Sequence, residues 1–172
     1  MKIQKLALIG IGLIGSSIAL AARKNKAIEH IAISTRSADT LRRAEELNLG
    51  DAYFADAAEA VKDADLVIIS VPVGASGQVA KAIAPALKRG AIVTDVGSVK
   101  QSVIQQMAPE LPSHVHLVPG HPMAGTEFSG PDAGLADLFE NRWTILTPTE
   151  DADGEAVRLL QNFWQQIGAN VE

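Results

Sequence analysis

The chain has 172 residues, 47% hydrophobic and 20% charged, a balance that suits a folded globular protein and excludes a disordered one. A net charge of −5 without a basic tract argues against nucleic acid as the main partner. The absence of cysteine removes disulfides, thiolate metal sites and a cysteine nucleophile.

No stretch approaches the ~20 apolar residues of a membrane span. The segment Met1-Lys2-Ile3-Gln4-Lys5 runs straight into an apolar strand and does not read as a signal peptide. A soluble, cytoplasmic protein is therefore expected, folded as a single domain over residues 1–172. Only 4% of residues are aromatic, so Ala, Val, Ile and Leu must build the core. Such residues suit parallel strands buried on both faces.

Taken in order, the elements alternate between short aliphatic runs and segments of helical period, as βαβ units do. Leu6–Ile9 is the first predicted strand, followed by glycines and a helix through Ile14, Ile18 and Ala22. His30–Ser34 is the second strand. Ser37 opens a helix whose apolar stripe is Leu41, Ala44 and Leu47, with Gly50 expected to end it. A short helix over Ala57–Val61 precedes the strand Leu66–Val71, which Pro72 stops. Val79, Ile83 and Leu87 mark a helix that Gly90 ends, and Ala91–Asp95 is the next strand. A helix over Lys100–Met107 and the strand His116–Val118 follow. The stretch from Gly120 to Asn141 carries four glycines and two prolines and reads as a long functional loop. The strand Trp143–Thr147, a helix over Glu155–Ile167 and the strand Ala169–Glu172 complete the chain. The expected fold is α/β: a Rossmann-type, doubly wound, mostly parallel sheet with helices on both faces.

Gly10-Ile11-Gly12-Leu13-Ile14-Gly15 is a complete GxGxxG that leaves a strand and opens a helix. That context separates a dinucleotide site from a chance glycine turn. The first glycine makes the turn, the second admits a pyrophosphate, and the third lets helix and strand pack closely. Gly10, Gly12, Leu13, Ile14 and Gly15 are accordingly cofactor-binding candidates. The tip of the second strand, where an acid would bind the ribose hydroxyls of NAD, reads Ser34-Thr35-Arg36-Ser37. Arg36, with Ser34 and Thr35, could pair with a 2′-phosphate, which mildly favours NADP over NAD. Alternatively Arg36 stacks on adenine and either cofactor is accepted.

Val71 and Pro72, and Asp95-Val96-Gly97-Ser98-Val99-Lys100, lie at carboxyl ends of strands, the edge where doubly wound sheets bind ligands. Ser98 can serve there as a helix cap, a ligand contact or both. Gly120-His121-Pro122-Met123-Ala124-Gly125-Thr126-Glu127 puts a histidine and a carboxylate after a strand at the same edge. Histidine suits the proton acceptor that oxidation of an alcohol requires. His114 and His116 read as surface residues, and no histidine or acid grouping has metal-ligand spacing.

Together with Leu146-Thr147-Pro148-Thr149, the segments Gly10–Ser17, Asp95–Lys100 and Gly120–Glu127 resemble the prephenate/arogenate dehydrogenases of tyrosine biosynthesis. The match runs along the whole chain, and GHPMAGTE is its most specific part. The resemblance implies NAD(P)-dependent oxidative decarboxylation of prephenate to 4-hydroxyphenylpyruvate, or of arogenate to tyrosine. It implies that His121 takes the proton of the ring hydroxyl, that Ser98 lies beside it and the nicotinamide, and that Glu127 belongs to the polar network. It also implies a helical C-terminal domain that forms a homodimer and completes the substrate site. That domain is expected to begin where this chain ends, at Glu172. The competing readings are another enzyme of the 6-phosphogluconate or 3-hydroxyacid dehydrogenase group, and a dinucleotide-binding module without catalysis.

Overall fold

Alternation of side chains along aliphatic strands gives both faces of a sheet an apolar surface, and helices must cover each. The computed structural model, which describes residues 2–172, follows that rule. Strands β1 (Lys5–Ile9), β2 (His30–Ser34), β3 (Ala52–Phe54), β4 (Leu66–Ile69), β5 (Ile92–Asp95) and β6 (His116–Leu117) form one all-parallel sheet. Their order is β3-β2-β1-β4-β5-β6, so the winding reverses between β1 and β4. Crevices for ligands open at such a reversal.

Leu6, Leu8, Ile31, Ile33, Leu66 and Ile68 point to one face and pack with α1 (Leu13–Lys24), α2 (Ala38–Glu46) and α6 (Gly154–Gln166). The alternate residues Ala7, Ile9, Ala32, Val67 and Ile69 point to the other face. There they meet α3 (Ala57–Val61), α4 (Ser76–Ile83) and α5 (Lys100–Met107). This is the doubly wound architecture expected from the sequence. Three of the seven aromatics form one cluster: Trp164 of α6 meets Phe139 and Phe163 edge-on at 5.3 and 5.9 Å.

Four features depart from expectation. Strand β3 is an unforeseen three-residue edge strand, too short to show a period. The end of α2 is set by Asn48, not Gly50: Asn48, just beyond the C-cap Leu47, takes the left-handed conformation (φ 55°). Its N–H reaches Glu45 O, while Leu49 N–H reaches Ala44 O, the paired bonds of a Schellman end. Gly50 is needed for space instead, because a Cβ there would lie 2.8 Å from Ile33. The expected loop from Gly120 opens with strand β7 (Gly120–Pro122), which pairs antiparallel with β8 (Trp143–Leu146). With β9 (Asn170–Val171) these make a separate three-stranded sheet, β7-β8-β9. His116 opens β6 half-buried, and the half-buried His114 ring bonds Leu87 O at 3.2 Å, so neither is a free surface residue.

One carboxylate organises the starts of two neighbouring strands. Asp65 accepts the backbone N–H groups of Gln4 (2.8 Å) and Lys5 (2.9 Å) and pairs with Lys88. Burial alone would raise its pKa. The Lys88 contact and the two backbone donors outweigh burial and hold it below the ordinary aspartate value. Because the folded pKa is depressed, this stabilisation is present above the unfolded value of about 4 and is lost as pH falls through the folded pKa. Asp65→Asn should therefore lower stability at neutral pH and flatten the acid limb. Urea midpoints measured from neutral pH downward check this, and parallel curves for the two proteins would contradict it.

Candidate active site

The turn between β1 and α1 shows why each glycine is required. Gly10 has φ +95°, and a Cβ there would lie 2.3 Å from Ser70 O. A Cβ at Gly15 would lie 2.4 Å from Gly10 O, so this glycine sets how closely helix packs on turn. Gly12 is different: a Cβ there would meet nothing within 4 Å. It is the N-cap of α1, which has no side-chain cap and no acid in its first turn. The first N–H groups of a helix have no intrahelical partners, and the helix end carries partial positive charge. An open backbone position at an uncapped helix N-terminus fits a pyrophosphate.

Beside this turn lies a cleft of about 690 Å³. Gly10, Gly12, Ser34, Thr35, Arg36, Val71 and Pro72 all line it, as expected. Arg36 is exposed and makes no hydrogen bond or ion pair with any described residue, so its guanidinium is available to a ligand. Leu13 and Ile14 lie at the helix start but outside the cleft wall. Sequence reasoning missed Asp56, which lines the same cleft from the β3–α3 junction and caps α3 through Ala58 N–H at 2.9 Å. The tip of β2 carries no carboxylate, as read from the sequence, but the cleft does hold one. The acid comes from the third strand, too short to be recognised.

The far wall comes from the long segment after β7. Gly130 and Pro131 line the cleft. The segment is fixed over α1 by Ser17 Oγ, which accepts Leu135 N–H at 2.9 Å. It is fixed to α2 by Arg43, whose fork holds Asp132 at 2.6–3.0 Å. A Cβ at Gly134 would lie 2.7 Å from Ser16 Cβ, so small residues at both positions permit this crossing.

The other end of the site is the edge of β5. Asp95 is 2% exposed, and its carboxylate accepts Gly97 N–H at 2.8 Å and Gly120 N–H at 3.2 Å. Lys100 pairs with the same carboxylate and donates to Gly120 O at 2.6 Å. Burial pushes the Lys100 ammonium below its usual pKa, and Asp95 opposes that shift. These contacts bring two predicted residues to one edge: exposed Ser98, in the turn from β5, and half-buried His121, in the middle of β7. Ser98 does not cap α5; the N-cap position is Val99 and lacks a side-chain cap. Glu127 lies exposed in the segment beyond β7. No hydrogen bond among the described residues joins Ser98, His121 and Glu127, and none of the three lines the enclosed cleft.

Residues 18–172 match the family described as prephenate dehydrogenase, nucleotide-binding domain. The chain belongs to this family. A cyclohexadienyl dehydrogenase from Zymomonas mobilis is 45% identical over 98% of the chain. A prephenate dehydrogenase from Aquifex aeolicus, solved with hydroxyphenyl propionate and NAD+, is 30% identical over the whole chain with a TM-score of 0.90. A Synechocystis arogenate dehydrogenase is 28% identical over 98% of the chain, with a TM-score of 0.86. The chain spans 57% of the first of these relatives and 60% and 59% of the two solved chains.

The contrast between glycines gives a direct test. Gly12→Ala should leave thermal stability near that of the original protein while weakening dinucleotide binding by about tenfold or more, since the added methyl faces the ligand. Gly15→Ala should instead destabilise by about 1–3 kcal/mol, since its methyl faces backbone. Thermal melts and calorimetric titration with NAD+ and NADP+ separate the two effects.

Proposed function

We propose that this chain binds NAD(P) across the glycine turn and provides the oxidising half of an enzyme for oxidative decarboxylation of prephenate or arogenate. The observation that carries this reading is the attachment of His121's strand to the β5 edge, next to the cleft that opens at the glycine turn. When bound, the nicotinamide supplies the two-electron acceptor. Gly12 and the start of α1 hold the pyrophosphate, and Ser34, Thr35 and Arg36 hold the adenosine ribose. His121, as neutral imidazole, accepts the proton of the ring hydroxyl as the ring carbon is oxidised. Loss of CO₂ then restores aromaticity, and the phenolate oxygen so formed takes back the proton from His121, so no separate acid is needed. Ser98 orients the hydroxyl, and Glu127 takes part in the polar surroundings of the substrate. Prephenate and NAD(P)+ thus give 4-hydroxyphenylpyruvate, CO₂ and NAD(P)H.

NADP is mildly favoured over NAD in this reading. The free Arg36 supports it, and the charge of Asp56 is partly offset at the start of α3. The proposal includes a cytoplasmic setting and a homodimer formed through a helical domain. Exposed Val99, Met123, Phe128 and Trp143 near the catalytic edge support such docking. No described helix is long and apolar enough to cross a membrane.

Arg36→Ala should weaken NADP binding roughly tenfold or more, the worth of a charged hydrogen bond, and leave NAD binding little changed. Calorimetric titration of both cofactors decides, and a native preference for NAD would contradict the assignment.

His121→Asn, made in the full-length protein carrying this chain, should lower kcat for prephenate by ~10²–10⁴ while dinucleotide affinity stays unchanged. Steady-state kinetics with parallel cofactor titration checks this. Equal losses in cofactor affinity and thermal stability would mark His121 as structural only.

A further inference from the structure

The ion pair between Asp95 and Lys100 is buried, yet neither group meets the dinucleotide cleft. Asp95 and Lys100 side chains are 3% and 14% exposed. Removing two charges from water is costly, and such a pair is weak evidence for stability in itself. What these groups touch gives the pair a use. Asp95 holds the N–H of Gly97 on one side and the N–H of Gly120 on the other. Lys100 closes the ring by donating to the carbonyl of the same Gly120. Ser98 is one of the four residues between Asp95 and Lys100 that the pair closes into a loop, and His121 is the next residue after Gly120. Both backbone polar groups of Gly120 are thereby fixed by side chains from the β5–α5 turn. Crowding fixes the glycine as well, since a Cβ at 120 would lie 3.2 Å from both Asp95 O and Thr94 Oγ1.

We propose that Asp95 and Lys100 are positioning residues that set the Ser98 turn and the His121 strand in one fixed relation, so that the two groups address the same substrate hydroxyl. The inference rests on the catalytic reading of Ser98 and His121 given above. Lys100 acts through Gly120, not as an acid or base on the substrate. A displacement of about 1 Å at a reacting group can lower a rate by about 100-fold, so a device of this kind has a large lever.

Two substitutions of Lys100 in the full-length protein test it. Lys100→Met keeps the stem and removes the ammonium, while Lys100→Gln restores one donor group. Backbone hydrogen exchange is read over residues 96–101 and 119–123, together with kcat for prephenate and cofactor affinity. In Lys100→Met, exchange should quicken in both segments and stay unchanged in β1, β2 and β4. At saturating substrate, kcat should fall by at least about tenfold, with cofactor affinity within about threefold of the original. Lys100→Gln should recover part of both effects.

Unchanged exchange in either segment overturns the proposal whatever the kinetics do. So does quickened exchange with an unchanged kcat, or a kcat loss that only follows cofactor affinity and folded fraction. If Lys100→Met does not fold, Lys100→Gln alone decides by the same criteria. Quickened exchange in both segments, in a protein whose native form does not oxidise prephenate or arogenate, leaves the clamp standing and refutes the catalytic reading. The two failures are thus told apart.

Discussion

The site depends on how a strand can leave one sheet for another without leaving backbone polar groups unsatisfied. After β6 the chain turns away from the parallel sheet, and β7 joins β8 instead. The side of Gly120 that faces β5 then has no ladder partner. Buried N–H and C=O groups demand partners, and water is excluded here because Gly120 is buried. Asp95 and Lys100 supply them, one acceptor and one donor, from the turn that continues β5. Deleting one partner of such a pair would strand the other charge, at a typical cost of about 3–5 kcal/mol. The arrangement therefore depends on both partners, and it fixes the second sheet against the carboxyl edge of the first.

The two halves of the site are built by different physics. The cofactor half needs absence: no Cβ at Gly12, no cap on α1, no partner for Arg36. Backbone dipoles and one free guanidinium give it a preference for phosphate. The proposed catalytic half needs occupation: both backbone polar groups of Gly120 are satisfied, while the side chains of His121, Ser98 and Glu127 have no hydrogen-bond partner among the described residues. The segment from Gly125 to Asn141 links the halves. It starts beyond His121, brings Gly130 and Pro131 to the wall of the cleft, and then crosses Ser16 and Ser17 through Gly134 and Leu135. Membership in the prephenate dehydrogenase nucleotide-binding family accords with a nucleotide site at the glycine turn.

What was legible in the sequence is local. Aliphatic runs of four or five residues between helical periods identified the five longer strands, and the glycine spacing located the cofactor turn. The missed features depend on distant partners or on very short segments. Strand β3 has three residues, and β7 is a strand only because Leu146 lies opposite Gly120. Asp56 entered the cleft through that unrecognised third strand, so the search for an acid at the end of β2 overlooked it. Gly50 resembled a helix end because glycine commonly serves there, yet Asn48 also tolerates positive φ and came first. Asp95 and Lys100 stood in a recognised segment, but a strand-ending acid and a lysine five residues on carry no chemical meaning until Gly120 is brought between them.

In the proposed function, the glycine turn, Arg36 and His121 belong to one continuous dinucleotide and substrate site. A crystal structure with NADP+ bound tests it most directly. The expected result has the pyrophosphate on Gly12 and the start of α1, and the 2′-phosphate on Arg36. The nicotinamide ring should lie past Val71 and Pro72, facing Ser98 and His121 with space for one six-membered ring. A nicotinamide that turns away from β7, or an adenosine bound elsewhere than the cleft between Arg36 and Asp56, would contradict the account.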